Sequence, residues 1–228
     1  MLIKTSAANG VTTITLNRPS KANAYNRLML EELEAAIDEV STSVVVIESE
    51  GDRAFCGGAD LLELSKASPD DAKELRSQRV FQKLATAPWI SIAAVHGPAV
   101  AGGFELALAC DLIVAGERAT FSLPETSLGL IPSAGGTTRL PLSVGLKRAK
   151  DVILGGRVLD AATAKDWGVV DRISNDARAE ATGWAAELAA KDPAALSFAK
   201  GLLNGEVERS LKQEREAEAI LYAKRNGS

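Results

Sequence analysis

Two glutamates stand in apolar, glycine-rich surroundings where a carboxylate could do acid–base chemistry. Glu105 follows Gly102 and Gly103 in the segment HGPAVAGGFELALACD, in which a strand pattern passes through glycines into a helix pattern. Glu125 lies in ATFSLPETSLGLIP, directly after Pro124. Two carboxyl groups in such settings are typical of general acid–base catalysis. Each also has a simpler interpretation, because first-turn glutamates complement the helix dipole and loop glutamates are usually solvated.

Two glycine turns could supply the electrostatic part of the same chemistry. The segments AFCGGADL (54–61) and AVAGGFE (99–105) both run from glycines into a helix pattern. Glycine lets the backbone approach a ligand closely, and the first amides of a helix have no partner within it. Such amides can bind an anion or a developing oxyanion. We therefore expect backbone donors next to the glutamates.

Other kinds of site have less support. His96 is the only histidine, which argues against His-rich metal sites, and its place after a strand pattern in VHGP is more typical of a structural residue than of a catalytic one. The chain has no Walker motif, and its glycine pairs do not fit the dinucleotide-binding pattern G-x-G-x-x-G. We expect neither a bound metal nor a cofactor.

Composition indicates a globular protein of one domain, with room for a helical appendage. The chain has 228 residues, of which 46% are hydrophobic, and its net charge of −4 argues against a nucleic-acid or membrane-surface protein. Cys56 and Cys110 lie in apolar stretches, which is typical of reduced cysteines. No signal peptide or membrane-spanning run is evident, so we expect a cytoplasmic location.

The order of the elements predicts an α/β fold. Strand patterns occupy VTTITL (11–16), SVVVIE (43–48), ISIAAV (90–95), DLIVAG (111–116) and ATFSL (119–123). Helix patterns lie between them, at about 26–40, in DAKELRSQRVFQKLATA (71–87) and in FELALAC (104–110). Alternation of this kind is typical of a layered core with parallel strands.

The pattern changes near Ser174. Three helix patterns follow without a strand signal, in residues 177–192, 193–206 and 210–227, separated by Pro or Gly. We predict a core over residues 1–173 that holds the site, and a helical segment over 174–228. That segment is too small for a core of its own, so it should pack on the α/β core or on a neighbouring subunit.

Several segments together resemble one known family. AFCGGADLLEL, ISIAAVHGPAVAGGFELALACDLIVAGERATFSLPE, LGLIPSAGGTTRLPLSVG and the later A-x-x-A-x-x-W-G-V-V are similar to the successive signatures of the enoyl-CoA hydratase/isomerase (crotonase) family. The similarity runs from about residue 11 to residue 173, in the family's order and spacing. It implies a crotonase-like α/β spiral of β-β-α turns with an all-helical C-terminal segment. It also implies a homotrimer or a dimer of trimers.

The resemblance assigns roles to individual residues. It implies that the amides of Ala59 and Gly102 form an oxyanion hole for a thioester oxygen, and that Glu105 and Glu125 are the glutamate pair of hydratases. The residues that it implies for binding coenzyme A are Lys21, Ala22, Ala59, Asp60, Leu61, Leu62 and Gly102. Coenzyme A enters as the thioester substrate, so no separate cofactor is expected.

The glutamate pair favours hydration of an α,β-unsaturated acyl thioester. Alternatives within the family are double-bond isomerisation and dehydration of a group bound to a carrier protein. A non-catalytic acyl-CoA-binding subunit fits the intact pair less well. The chain also departs from the family pattern. It is short after the first helix and at its C-terminal end, Ala101 replaces a glycine, and we expect Phe104 to narrow the pocket.

Overall fold

A six-stranded main sheet forms the centre of the protein. The structure is a computed structural model and describes residues 1–66 and 75–204. The strands of the main sheet lie in the order β1-β2-β3-β4-β6-β9, and a smaller sheet has the order β5-β7-β8. The strands are β1 (Ile3–Ala8), β2 (Val11–Leu16), β3 (Val44–Ser49), β4 (Ile90–Val95), β5 (Ala99–Val100), β6 (Leu112–Gly116), β7 (Thr120–Ser122), β8 (Leu159–Asp160) and β9 (Arg172–Ser174).

Helices cover both faces of the main sheet. In the described residues they are α1 (Arg27–Asp38), α2 (Leu61–Leu64), α3 (Arg76–Thr86), α4 (Gly102–Ala109), α5 (Gly136–Val144), α6 (Leu146–Ile153), α7 (Ala161–Asp166), α8 (Ala177–Ala189) and α9 (Pro193–Leu203). Two short 3-10 turns are Pro19–Lys21 and Glu125–Leu128. None of the described helices has the length and apolar character needed to cross a bilayer.

The apolar strand β3 is buried on both sides. Val45 and Ile47 belong to the large core that includes α1, α3 and α4, whereas Val44 and Val46 belong to a second cluster beneath α8. Alternate side chains of a strand point to opposite faces of the sheet. Because helices cover both faces here, every position of β3 faces a core, and a nearly continuous β-branched run fits that position. Burying each such side chain contributes about 1.5–3 kcal/mol. The sequence expectation for this strand is confirmed.

Helix α1 shows why its predicted limits were close to the observed ones. The side chain of Asn26 caps it by accepting a hydrogen bond of 2.9 Å from the Met29 amide. Its buried residues recur at three- and four-residue spacing and face the large core. Helix pattern and cap are both local signals, and both are visible in the sequence.

Strand pairing differs from the expectation in two places. The main sheet is parallel from β2 to β9, but β1 pairs antiparallel with β2, and β8 pairs antiparallel with β7. The sequence did not predict strand β1, because only Ile3 of its six residues is buried and no alternating pattern results. The helix pattern at 210–227 lies outside the described residues, as do residues 71–74 of the earlier one.

The parallel strands end at one edge of the sheet, and the glycine turns lie there. Cys56, after β3, forms a parallel bridge with Ala99, after β4, and Ala99 in turn pairs with Phe121 of β7. The small sheet therefore ties together three connections that follow strands of the main sheet. In open α/β sheets this edge is where ligands bind.

Candidate active site

A cavity of about 570 Å³ opens at the carboxyl ends of the parallel strands. Its walls come from the connections after β2, β3, β4 and β7, together with the starts of α1 and α3. The four residues for which the sequence predicted chemistry, Ala59, Gly102, Glu105 and Glu125, all line it. A pocket of this size with a few convergent polar groups is typical of a small-molecule site.

Glu105 lies in the first turn of α4 and is 3% exposed. Its Oε1 accepts hydrogen bonds of 2.8 Å from the amides of Ala134 and Gly136. Every residue of α4 is buried, so the glutamate enters the cavity wall from a fixed helix. Two amide donors on one oxygen stabilise a carboxylate anion that burial alone would disfavour. The simpler interpretation, in which Glu105 only complements the helix dipole, does not account for these two donors.

Glu125 reaches the same cavity from a different segment. It begins the 3-10 turn Glu125–Leu128 after Pro124 and is 7% exposed. The turn closes at Gly129, whose φ of 72° is a left-handed conformation that suits glycine. The interpretation of Glu125 as a solvated loop residue is therefore wrong. The fold brings two buried glutamates, distant in sequence, to one cavity.

Ala59 and Gly102, whose amides the family resemblance implies as an oxyanion hole, both line the cavity. Gly102 begins α4, so its amide has no partner within the helix. Ala59 forms a parallel bridge with Tyr25, in which the Tyr25 amide donates to Gly58 and the Asp60 amide donates to Tyr25. The amide of Ala59 itself takes no part in that bridge. A Cβ on Gly58 would lie 3.2 Å from the Gly102 nitrogen, which shows how close the two segments are.

Packing explains the two adjacent glycines at the start of α4. A Cβ on Gly102 would lie 1.9 Å from the hydroxyl oxygen of Tyr25, and a Cβ on Gly103 would lie 2.1 Å from the carbonyl oxygen of Cys56. A side chain at Gly102 would require the Tyr25 ring to move, and one at Gly103 would require the backbone of Cys56 to move. The glycines therefore let the start of α4 pack closely against Tyr25 and against the AFCGGADL segment.

Ala101 has an unusual backbone conformation, and the side chain of Phe104 points away from the cavity. Ala101 has φ 53° and ψ −128°, a region in which a Cβ is strained. Phe104 is fully buried and packs against Phe121 with ring centroids 5.2 Å apart, and it does not line the cavity. The expectation that Phe104 narrows the pocket is therefore wrong. Successive side chains of a helix are rotated by about 100°, so Phe104 points into the core while Glu105 points into the cavity.

The residues that the resemblance implies for coenzyme A are only partly on the cavity. Asp60 and Leu61 line it, whereas Lys21, Ala22 and Leu62 do not. Ala22 lies behind the wall, where its carbonyl accepts a hydrogen bond of 2.9 Å from Gly57, and Lys21 and Leu62 are exposed.

Asp60 has a structural role that the sequence did not reveal. Its carboxylate forms an ion pair with Arg18 at 2.7 Å and caps α2 through the Leu62 amide at 2.9 Å. The hydrogen bond from Arg18 and then the one from Leu62 lower the pKa of Asp60 below its ordinary value. This carboxylate therefore stays charged and anchors the segment that carries Ala59.

Tyr25 is a cavity residue that sequence reasoning missed. Its ring lines the cavity, packs edge-on against Phe81 at 5.7 Å, and places its hydroxyl against Gly102. Burial, and next the charge of Glu105, raise the pKa of Tyr25 well above its ordinary value. The hydroxyl therefore stays protonated and can donate a hydrogen bond. No local signal marks Tyr25, because it stands in a polar loop before α1 and only the fold brings it to α4.

His96 lies outside the cavity. Burial, and next the positive charge of Arg178, lower the pKa of His96 below its ordinary value. Nη2 of Arg178 lies 3.3 Å from Nδ1 of His96 and donates to the carbonyls of Ser49 and Gly51. The imidazole thus belongs to a polar cluster at a strand end, in line with the structural interpretation. In residues 1–66 and 75–204, no group of three or more His, Cys, Asp or Glu side chains is arranged as a metal site.

Known proteins resemble this chain over most of its length. A family model described as enoyl-CoA hydratase/isomerase matches residues 6–226. The chain is 41% identical to 2,3-dehydroadipyl-CoA hydratase of Escherichia coli (strain K12) over 225 residues, which cover 93% of this chain and 87% of that protein.

Solved structures show the same likeness. An enoyl-CoA hydratase/isomerase from Xanthobacter autotrophicus Py2 has a TM-score of 0.90 and 33% identity, and the match covers 97% of this chain and 87% of that one. An enoyl-CoA hydratase from Bacillus anthracis has a TM-score of 0.85 and 35% identity, with 97% and 90% covered. The family resemblance and the crotonase-like α/β fold that it implied are confirmed.

Proposed function

Because the chain belongs to the enoyl-CoA hydratase/isomerase family, we propose that it adds water across the α,β double bond of an enoyl-CoA thioester. One observation carries the choice of hydration. Two buried glutamates, Glu105 and Glu125, line one cavity together with Ala59 and Gly102. Hydration needs a group that accepts a proton and a group that delivers one, and a donor pair for the charge that develops between these steps.

The reaction places its demands on named atoms. The oxygen of water bonds to C3 while a base takes one of its protons, and the electrons of the double bond move toward the thioester oxygen. C2 then takes a proton, which gives a 3-hydroxyacyl thioester. The amides of Ala59 and Gly102 would hold the thioester oxygen as it becomes negative, and one such donor typically contributes roughly 2.7–4 kcal/mol of transition-state stabilisation.

The environment of each glutamate suggests its role. The amides of Ala134 and Gly136 both donate to Oε1 of Glu105, which favours its ionised form. An ionised Glu105 suits the base that accepts the proton of water, through its other oxygen. Glu125, on the opposite segment, would then deliver the proton to C2. After turnover Glu105 carries a proton and Glu125 lacks one, and exchange with solvent restores both.

Charge at the cavity supports a coenzyme A thioester as the substrate. Although the net charge is −4 and four carboxylates also line this cavity, it carries three cations, which suit the phosphate groups of coenzyme A; they are Arg27, Lys66 and Arg76. We propose that residues 59–62 contact the coenzyme A moiety, with Lys21 and Ala22 nearby, and that no separate cofactor takes part. We also propose that the protein assembles as a homotrimer or a dimer of trimers, through its helical segment.

Turnover of a panel of short and medium enoyl-CoAs, followed by the loss of enoyl absorbance, tests the proposal. Glu105→Gln and Glu125→Gln keep the side-chain shape and remove proton transfer. We expect each to lower kcat by at least about 10²-fold, with little change in ligand binding. Glu32→Gln is the matched control, because Glu32 also accepts two backbone amides, from Leu2 and Ile3, but lies away from the cavity. It should hydrate at the wild-type rate.

The alternatives predict different results in the same experiment. An isomerase shifts a β,γ double bond without incorporating water and tolerates one of the two replacements. A dehydratase for carrier-bound groups turns over the carrier-protein thioester and leaves the coenzyme A thioester unused. A binding subunit shows no turnover. Full hydration by the Glu125→Gln protein would refute the assignment of a glutamate pair.

A further inference from the structure

The turn that holds Glu105 is itself held from behind. Residues 133–136 present the amides of Ala134 and Gly136 to Oε1 of Glu105, each at 2.8 Å. The carbonyl of Ser133 belongs to the same planar peptide as the Ala134 amide and points the opposite way. Whatever binds that carbonyl therefore also sets the direction of the amide.

Gln78 binds that carbonyl. It lies on α3, is 1% exposed, and donates from Nε2 to the Ser133 carbonyl at 2.9 Å. A line of hydrogen bonds thus runs from the Gln78 amide through the 133–134 peptide to the Glu105 carboxylate. Hydrogen bonds arranged in such a line polarise and strengthen one another.

Arg139 holds the next peptide of the turn. Its Nη1 donates to the Ala134 carbonyl at 3.0 Å, and its Nη2 donates to Oε1 of Gln82 at 2.7 Å. The guanidinium lies directly against Gly135, where a Cβ would stand 1.8 Å from Nη1. Gln82 lies one helical turn after Gln78, so α3 supports the turn at two points.

We propose that Gln78 and Arg139 are positioning residues for Glu105. Gln78 aims the Ala134 amide at the carboxylate through the Ser133 carbonyl, and Arg139 holds the 134–135 peptide that links the two donor amides of turn 133–136. Together they fix the direction and ionised form of the Glu105 carboxylate. The inference rests on the proposed hydration for its catalytic consequence. Neither residue lines the cavity or touches the site of the reaction. Displacement of a reacting group by about 1 Å can lower the rate on the order of 10²-fold. Loss of the support behind Glu105 should therefore lower the rate on a similar scale.

Two substitutions test the proposal by kinetics. Gln78→Met keeps the length of the side chain and removes the donor, and Arg139→Ala removes the guanidinium. We expect each to lower kcat by about 10- to 100-fold with KM changed by less than about twofold. The acidic limb of the pH–rate profile should move to higher pH, by on the order of one unit, because the carboxylate of Glu105 loses support from its amide donors.

The groups that face Glu105 allow this pH shift to be interpreted. Within the described residues they include Tyr25 and Glu125 on the cavity wall, Cys56 against Gly103 of α4, and Arg139, which donates to the Ala134 carbonyl. Burial raises the pKa of Tyr25 well above its ordinary value and raises the pKa of Cys56 to about 12, so neither ionises near neutral pH. Repeating the Gln78→Met profile in the Glu125→Gln background separates Glu105 from Glu125.

Chemical rescue distinguishes positioning from a general loss of stability. Arg139 also lines a second cavity of about 430 Å³, on the side away from the glutamates, through which a small cation can enter. Millimolar guanidinium should restore part of the kcat of Arg139→Ala. Arg178→Ala is the matched control, because Arg178 also donates to backbone carbonyls, those of Ser49 and Gly51, but not near Glu105. It should keep the wild-type pH profile.

A readout without turnover keeps the two proposals separate. Hydrogen exchange at the Ala134 and Gly136 amides, measured by NMR, should be faster in Gln78→Met and unchanged in Arg178→Ala. If the wild type does not hydrate but these amides respond, the proposed function is wrong and the positioning role stands. If hydration, the pH limb and the exchange rates are all unchanged in Gln78→Met and Arg139→Ala, the positioning role is refuted.

Discussion

The amide of Gly136 donates a hydrogen bond of 2.8 Å to Oε1 of Glu105, and no larger residue fits at that position. A Cβ on Gly136 would lie 2.7 Å from Cβ of Pro132 and 3.0 Å from the same carboxylate oxygen. The contact that holds the glutamate therefore depends on the absence of a side chain.

Gly136→Ala should displace either the turn or the carboxylate, and so lower kcat by on the order of 10²-fold while the protein stays folded. Steady-state kinetics and circular dichroism measure the two effects. Gly183→Ala, in α8 with nothing within 4 Å of its Cβ, is the control. It should keep full activity and gain about 0.5–1 kcal/mol from helix propensity. Equal activities of the two variants would contradict this account of Gly136.

Ala101→Gly should stabilise the protein. At φ 53° and ψ −128° an L-residue is strained by about 1–3 kcal/mol in the folded state, and glycine removes this strain. Glycine also loses more chain entropy on folding, which costs about 0.5–1 kcal/mol. We expect a net gain of about 1 kcal/mol, or a Tm higher by about 2–4 °C. Ala22→Gly, at an ordinary left-handed conformation of φ 52° and ψ 34°, should change Tm much less. Calorimetry decides, and a lower Tm for Ala101→Gly would refute the strain.

Tyr25 should ionise later than an ordinary tyrosine. Burial and the charge of Glu105 raise its pKa, so an alkaline absorbance titration should show one of the two tyrosines ionising well above pH 10. Tyr25→Phe should remove that late step. Because the unfolded state loses this proton first, the stability that Tyr25 contributes is full below about pH 10 and is lost as the pH rises further. If Tyr25→Phe removed the ionisation near pH 10 and kept the later one, the assignment of the late step to Tyr25 would be wrong.

Two lysine–carboxylate ion pairs of equal length should contribute different amounts to the free energy of unfolding. Lys200 and Asp111 lie 2.8 Å apart with side chains 5% and 18% exposed, and Lys4 and Glu50 lie 2.8 Å apart with side chains 50% and 43% exposed. Lys200→Met leaves Asp111 buried without its cation and should cost about 3–5 kcal/mol of unfolding free energy. Lys4→Met should cost about 0–1 kcal/mol. Urea denaturation measures both, and similar losses would show that burial does not govern these pairs.

His96 gives a clean probe of its polar cluster, because the chain has no other histidine. Burial and then Arg178 lower its pKa, so its ring proton resonance should titrate below about pH 6.5. The stability that this histidine contributes is present above that pH and is lost as the pH falls, since the unfolded state takes up the proton first. Arg178→Ala should move the titration upward. A titration at or above the ordinary pH in the wild type would contradict the cluster.

Local patterns determined much of this protein. The β-branched run of β3, the buried strand β4 and the apolar spacing of α1 are signals within short windows, and each element appeared where the sequence predicted it. The sequence also singled out Glu105 and Glu125 by their apolar, glycine-rich settings. Their motifs carried the family resemblance that the comparisons confirmed. Their catalytic roles stay predictions.

Only the tertiary structure decided which groups meet. Hydrophobic periodicity reports which face of an element is buried, but it does not say what lies on the other side of the contact. Tyr25 against Gly102, Gln78 behind the turn that holds Glu105, and Phe104 turned into the core all depend on strand order and on how closely helices pack. Strand β1 stayed invisible for a related reason, because an edge strand with one buried residue has no pattern to read. Contacts between distant segments are set by the packing of the whole core, and no short window of sequence contains that information.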